Sequence, residues 1–411
     1  MNLRRIYFLW TFFILFLYQQ SNLFADNREF TYLTIENGLS QSTIFKVIQD
    51  TKGYLWITTQ DGLDRYDGYT FKVFRHSIID TQSISDNSLT QLIQDKNGDI
   101  WVSSIHGNIN QYHYKTGKFS SYQLNDLDST LEDANLSSMA LDSSGFLWFG
   151  MEGAIGKLNT LDKKISIYHK YSSKKIMNIP YIYIDKKNNI WVGDKEGLYL
   201  FNNTKNEFEL FEQDVINRPL VKNIITICED NSGNLWLGVS GHAPLRFTPQ
   251  NKAVLKYDNY FSAEAIQSFD NLTSVLFTTT NELIIGTLNN GLFILHPQSG
   301  TVEHLLNNSL SRKSLSFNHV LSLYEDRAQN LWIGTLKGLN KLNLKPKKFE
   351  IFRLSNSTSL IDKNHAILTI PNVIISVFKD SGRRIWLGTY TTGLYTIDEK
   401  TNKIKRFDSI P

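Results

Sequence analysis

From residue 26 onward the apolar positions come in short bursts, each cut off by a Gly-, Asn- or Asp-rich break. Leu89 to Ile93, Val320 to Leu323 and Gly197-Leu198-Tyr199-Leu200-Phe201 are typical. Runs this short, rich in aromatic and β-branched residues and bounded by turn formers, predict strands rather than helices.

The bursts are themselves periodic, and tryptophan marks the period. Apart from Trp10, the chain has Trp56, Trp101, Trp148, Trp191, Trp236, Trp332 and Trp386, with gaps of 45, 47, 43, 45, 96 and 54 residues. Ile284 splits the gap of 96 into 48 and 48, so one copy has lost its Trp. Six residues before the mark stands Asp50, Asp95, Asp142, Asp185, Asp230, Asp326 or Asp380, with Thr278 in the degenerate copy. Three before it stands Gly53, Gly98, Gly145 or Gly233, replaced by Asn188, Asn281 and Gln329 and shifted to Gly382 in the last copy. Two after it is a small residue (Thr58, Ser103, Gly150, Gly193, Gly238, Gly286, Gly334, Gly388), and a second glycine follows shortly.

Asp-x-x-Gly predicts a tight turn in which the carboxylate accepts backbone N–H bonds and the Gly or Asn takes a positive φ. The small residue after Trp predicts close approach of a neighbouring sheet. Four short antiparallel strands per repeat make one propeller blade. The expected fold class is all-β: a propeller of four-stranded antiparallel blades, seven in a ring plus one extra repeat, with an eight-bladed ring as the alternative. Phe30-Thr31-Tyr32-Leu33-Thr34 reads as a fourth strand without a blade, able to close the ring on the last one. The expected domains are a signal peptide at 1–25, a propeller at 26–348 and an eighth repeat at 349–411, which is the start of a second propeller or a closing blade. In that repeat an unmatched blade would expose an apolar face and an open edge.

The leader supports export. Arg4 and Arg5 precede a predominantly apolar stretch of 13 residues, Ile6 to Tyr18, and Ala25 is a plausible cleavage position; such a run is too short to span a bilayer as a helix. Removing the leader leaves a net charge of +1, which gives no case for nucleic acid. Cys228, the only cysteine, lies in the strand-like Ile224-Ile225-Thr226-Ile227-Cys228 and reads as a buried core thiol. No phosphate loop, His-Glu-x-x-His or Cys-x-x-Cys is present. The sequence therefore predicts no catalytic residue, no metal site and no cofactor.

The repeat, Asp-x-x-Gly-x-Leu-Trp-Ile-Gly-Thr-x-x-Gly-Leu, resembles the two-component regulator propeller repeat. The opening copy, from Gly38-Leu39-Ser40 through Asp50 and Trp56 to Asp67-Gly68, matches it closely, and the resemblance covers 30–411. It implies the periplasmic sensor region of a bacterial hybrid two-component histidine kinase. Members of that family usually carry two propellers, an immunoglobulin-like linker, a membrane helix and an output domain, and several sense oligosaccharides. The expectation is thus a truncated, periplasmic, non-enzymatic sensor for an oligosaccharide or other small polar ligand, with self-association as a dimer as a further expectation.

Strand direction puts the loop entering each blade and the loop joining its second and third strands on one side, away from the Asp turn. Candidate ligand contacts there are Gln60, Asp61, His106, Glu152, Asp194, Lys195, His242, Asn289, Lys337 and Tyr390, with Asn290 and Thr391 beside them. The recurring Asn87, Asn135, Asn178, Asn223, Asn271, Asn318 and Asn372 are expected to cap their own turns. A protein-docking scaffold is the rival reading. A glycosidase or lyase is a third, and would draw on Glu152, Asp194, His106 and His242.

Overall fold

The computed structural model describes residues 30–124, 135–168, 180–211, 222–311, 314–345, 360–361, 367–368, 374–382, 384–390, 393–398 and 404–407. The leader, Asn178, Asn372, Thr391 and the strand expected at Phe349 to Phe352 lie outside these. The chain divides into two compact units between Lys345 and Pro346.

In the first unit the repeat becomes a series of four-stranded antiparallel sheets. Sheet 1 runs Ile44–Gln49, Leu55–Thr59, Gly62–Tyr66 and Phe71–Phe74. Five more follow, within 89–123, 136–168, 181–210, 224–255 and 272–305. Sheet 7 contains Val320–Glu325, Asn330–Thr335 and Gly338–Asn343, and its fourth strand is Phe30–Leu33 from the other end of the unit. Phe30 pairs with Leu342 and Leu33 with Leu339. One short helix, Ala263–Ser268, interrupts the series between sheets 5 and 6. The repeat reading did not foresee it; Ser262 caps it by accepting from the Ala265 N–H.

The Asp of each repeat does more than cap its turn. In sheet 3, Asp142 accepts from the N–H groups of Ser144 and Phe146 at 2.9 Å through Oδ1, and from Trp148 Nε1 at 2.9 Å through Oδ2. The same carboxylate-to-indole bond forms at Trp56, Trp101, Trp191 and Trp332, at 2.7 to 2.9 Å. The fourth turn residue has positive φ in all seven repeats of the first unit, including Asn188 at 67° and Gln329 at 62°; in the second unit Gly382 lies outside the left-handed region. Two copies lose the indole bond. Asp230 instead holds Asn234 and Arg246, leaving Trp236 Nε1 without a partner, while Thr278 receives the Glu282 N–H.

The tryptophans are core, as expected: those at 56, 101, 148, 191, 236 and 332 are at most 4% exposed. They sit between sheets, and the small residue beyond each lets the next sheet close on them. A Cβ on Gly238 would lie 2.8 Å from Leu272, and one on Gly286 2.7 Å from Val320. Gly334 of sheet 7 meets Ile44 of sheet 1 in the same way at 2.8 Å. Two further ties join sheets 7 and 1: Arg327 Nε donates to Gln49 Oε1 on the Asp-turn side, and the Gly338 N–H donates to the Ser42 carbonyl on the other.

The second unit contains one four-stranded sheet, Ile374–Lys379, Arg384–Thr389, Gly393–Asp398 and Ile404–Phe407. Trp386 bonds Asp380 at 2.9 Å, so the repeat chemistry is intact. Its first strand is uncovered: Ile374 is 45% and Val377 66% exposed, against 0% and 1% for Ile44 and Val47 at the same register.

Candidate functional site

Hydrogen bonds place the candidate loops together. The Gly62 N–H donates to the Asn87 carbonyl, Gly291 to Asn318 and Gly338 to Ser42, so the second-to-third turns of sheets 1, 6 and 7 are fastened to the loop that enters the next sheet. A β-bulge recurs just inside that entrance, between Ile44 and Lys46, Ile224 and Thr226, and Val320 and Ser322. Bulges re-aim a strand and its side chains, and here they stand at the rim of the face. The Asp turns are tied to one another on the opposite side, as where the Thr279 N–H donates to Glu325.

A buried polar pair repeats beneath this rim. The Ser40, Ser85 and Ser316 N–H groups donate to Asp64, Asn110 and Asn340 at 2.8 to 3.0 Å. The sequence reading missed these, although the spacing of 24 or 25 residues recurs three times. Asp64 is the exception in chemistry: fully buried, with Oδ1 unpartnered. Burial pushes its carboxyl up to about 6 against the opposing hydrogen bonds from Ser40.

The candidate residues differ in what they offer. Gln60 is exposed and accepts from Gln41 Nε2 at 3.4 Å, whereas Asp61 is held by Arg75 Nη2 at 3.1 Å. His106 Nδ1 lies 2.5 Å from Asp86 Oδ2. Glu152, Lys195, His242 and Asn289 are exposed on sheets 3, 4, 5 and 6. Asp194 is only 1% exposed, and its Oδ1 receives the N–H groups of Glu196 and Gly197; its carboxylate shapes the turn rather than facing solvent. Lys337 is exposed, with Nζ 4.6 Å above the Phe317 ring. Tyr390 is exposed in the second unit. The four enzyme candidates sit on four different sheets, and His106 pairs with Asp86.

The asparagines require correction. Asn87 and Asn318 are equivalent, and each accepts a backbone N–H from 11 residues upstream, at His76 and Asn307. They brace the inter-sheet loop rather than cap their own turns. Asn135, Asn223 and Asn271 stand one position later relative to the first strand, so the apparent recurrence is not of one site.

Cys228 is buried as expected, and burial pushes its thiol up. Among the described residues no group of three His, Cys, Asp or Glu side chains could hold a metal ion. No helix among them is long and apolar enough to cross a membrane.

Comparison with known proteins agrees with this architecture. The family model described as "Two component regulator propeller" matches residues 83–106, 220–241 and 314–337. Histidine kinase P4 of Formosa agariphila is 43% identical over 74 residues, 18% of this chain and 5% of that protein. A chain from B. thetaiotaomicron, described as the extracellular domain of a hybrid two component system, superposes with a TM-score of 0.64 at 22% identity, covering 93% of this chain and 55% of that one. Virginiamycin B lyase of Staphylococcus aureus superposes at 0.59 and 15% identity, covering 78% of this chain and all of that one. This chain therefore spans little more than half of the first solved structure and a small part of the kinase. On its repeat, its fold and these matches, the chain is a β-propeller protein, three of whose repeats match the two-component regulator propeller model.

Proposed function

We propose that this chain is a ligand-sensing propeller module of a two-component signalling protein, exported to the periplasm, which binds an oligosaccharide or other small polar ligand without transforming it. In this reading 26–348 forms one propeller, and 349–411 begins a second or closes the first. One observation carries it: the two ends of the sheets have different duties. The Asp turns repeat the same bonds sheet after sheet, whereas the opposite end varies from Glu152 to Lys195 to His242 on a fixed backbone frame. Loops of changing chemistry on a rigid scaffold are where binding residues are commonly found. Likeness to a histidine kinase over 74 residues supports the signalling role.

The test is a thermal-shift screen of the full chain against defined polysaccharide digests, with the ligand then recovered and sized. A fragment that raises the melting temperature and returns intact fits the proposal; turnover of the fragment would replace it with the enzyme reading. The uncovered Ile375, Val377 and Phe378 favour a second reading, docking of another protein on the eighth sheet. Absence of any stabilising fragment together with a partner of fixed stoichiometry would give that reading the lead.

A further inference from the structure

Three residues before the first strand, sheets 1 and 2 carry the polar Gln41 and Asp86, and before sheet 6 the same place is taken by Phe269, fully buried beside the helix. Sheet 7 alone of these presents a partly exposed aromatic there, Phe317. Its ring stacks on His319, with centroids 5.6 Å apart and planes inclined by 26°. Phe317 has no evident part in folding its loop. Leu315 is the buried anchor, and Asn318 with Ser314 holds the backbone of Asn307 and Asn308.

Lys337 completes the cluster. It occupies the turn position that Asp61 holds in sheet 1, and its Nζ rests 4.6 Å over the Phe317 ring. It pairs with no carboxylate among the described residues, and the His319 ring makes no hydrogen bond there. The 2.8 Å bond from the Gly338 N–H to Ser42 fastens the Lys337 turn to the loop that carries Gln41. A ring face, an unpaired ammonium, an imidazole and an amide are thus held on one stretch of rim.

We propose that this platform binds an anionic sugar. The apolar face of a pyranose ring lies on Phe317, its carboxylate pairs with Lys337, and His319 and Gln41 donate to its remaining oxygens. An ammonium over an aromatic ring is a modest attraction when exposed, so an arriving carboxylate replaces it at little cost and forms a stronger charge-assisted bond. Few polar groups around one aromatic surface is the usual make-up of a small-ligand site. This inference rests on the ligand-sensing reading and narrows it to a place and a charge.

The experiment is isothermal titration of the full chain with tri-galacturonate and with its carboxyl-reduced counterpart, in wild type, F317A, K337A and, as a control, K164A on sheet 3. Binding of the acid, at least tenfold weaker binding of the reduced probe, and a Kd raised about three- to tenfold in F317A and K337A but not in K164A are expected. Equal binding of both probes, or binding unchanged in F317A and K337A, overturns the site while leaving the sensing role intact. Failure of the acid to bind at all overturns the anionic-sugar assignment, and the broader polysaccharide screen then decides the sensing role separately.

Discussion

Replacing Asp142 by alanine removes three hydrogen bonds at one stroke. Oδ1 satisfies two turn N–H groups and Oδ2 satisfies the indole of Trp148, which is fully buried. The turn donors can recover water, so each loss costs about 1 kcal/mol, whereas an orphaned buried indole N–H costs about 1–3 kcal/mol. Asp142→Ala should therefore destabilise the protein by about 3–5 kcal/mol in urea denaturation, with the slope unchanged. Trp148→Phe removes the donor but keeps an aromatic ring. In a double-mutant cycle the two changes should couple by about 1.5–3 kcal/mol, the range for a hydrogen bond to a charged group. Asp142→Asn should not rescue the loss, because either amide orientation sets an NH₂ against an N–H donor. A coupling energy near zero would refute the claim that the carboxylate–indole bond locks the repeat.

Other consequences are equally open to measurement. A methyl on Gly334 would press on Ile44, so Gly334→Ala should cost on the order of 1–3 kcal/mol. Gly388→Ala should cost less, since the nearby atoms all belong to Ser376, whose hydroxyl can rotate. Val377→Lys should leave stability within about 0.5 kcal/mol, while Val47→Lys at the matching buried register should cost several kcal/mol, roughly as for an unpaired buried charge; equal effects would mean that the eighth sheet is covered. Asp64 gives a pH signature. Its folded-state carboxyl sits near 6, above its ordinary 3.8, so the folded protein holds this proton more tightly than the unfolded chain. Stability attributable to Asp64 is therefore highest below about pH 4 and falls as pH rises to about 6, by about 3 kcal/mol in all. Asp64→Asn, which copies Asn110 and Asn340, should abolish that slope and be the more stable form at pH 7; a wild-type-minus-mutant difference that does not change with pH would contradict this.

The fold was legible because the period is written in residues that cannot be exchanged cheaply. A buried Trp, a left-handed turn residue and a residue too small to block the next sheet each leave a mark at a fixed offset. The indole bond was not read, since offset alone does not show that Asp and Trp side chains converge; the constant spacing of six was the available signal. The asparagines misled because composition recurs in the entering loops while register does not. Asn87 and Asn271 look alike in sequence but stand one residue apart relative to the first strand, which changes what each can reach. Asp194 misled for a similar reason: a short turn can consume its own carboxylate. Phe317 was overlooked because a lone aromatic among so many is unremarkable until its position is aligned with Gln41 and Asp86. Self-association and ligand identity depend on surfaces whose partners lie outside the chain.

The central claim is that one end of the sheets maintains the scaffold and the other meets the ligand. Hydrogen–deuterium exchange of the full chain, with and without a fragment selected by the thermal-shift screen, tests it most directly. The account predicts new protection in the loops at 40–43, 59–62, 86–88, 104–107, 317–319 and 335–338, with the fragment recovered unchanged. Protection confined to the Asp turns at 50–54, 95–99 and 326–330 would contradict it.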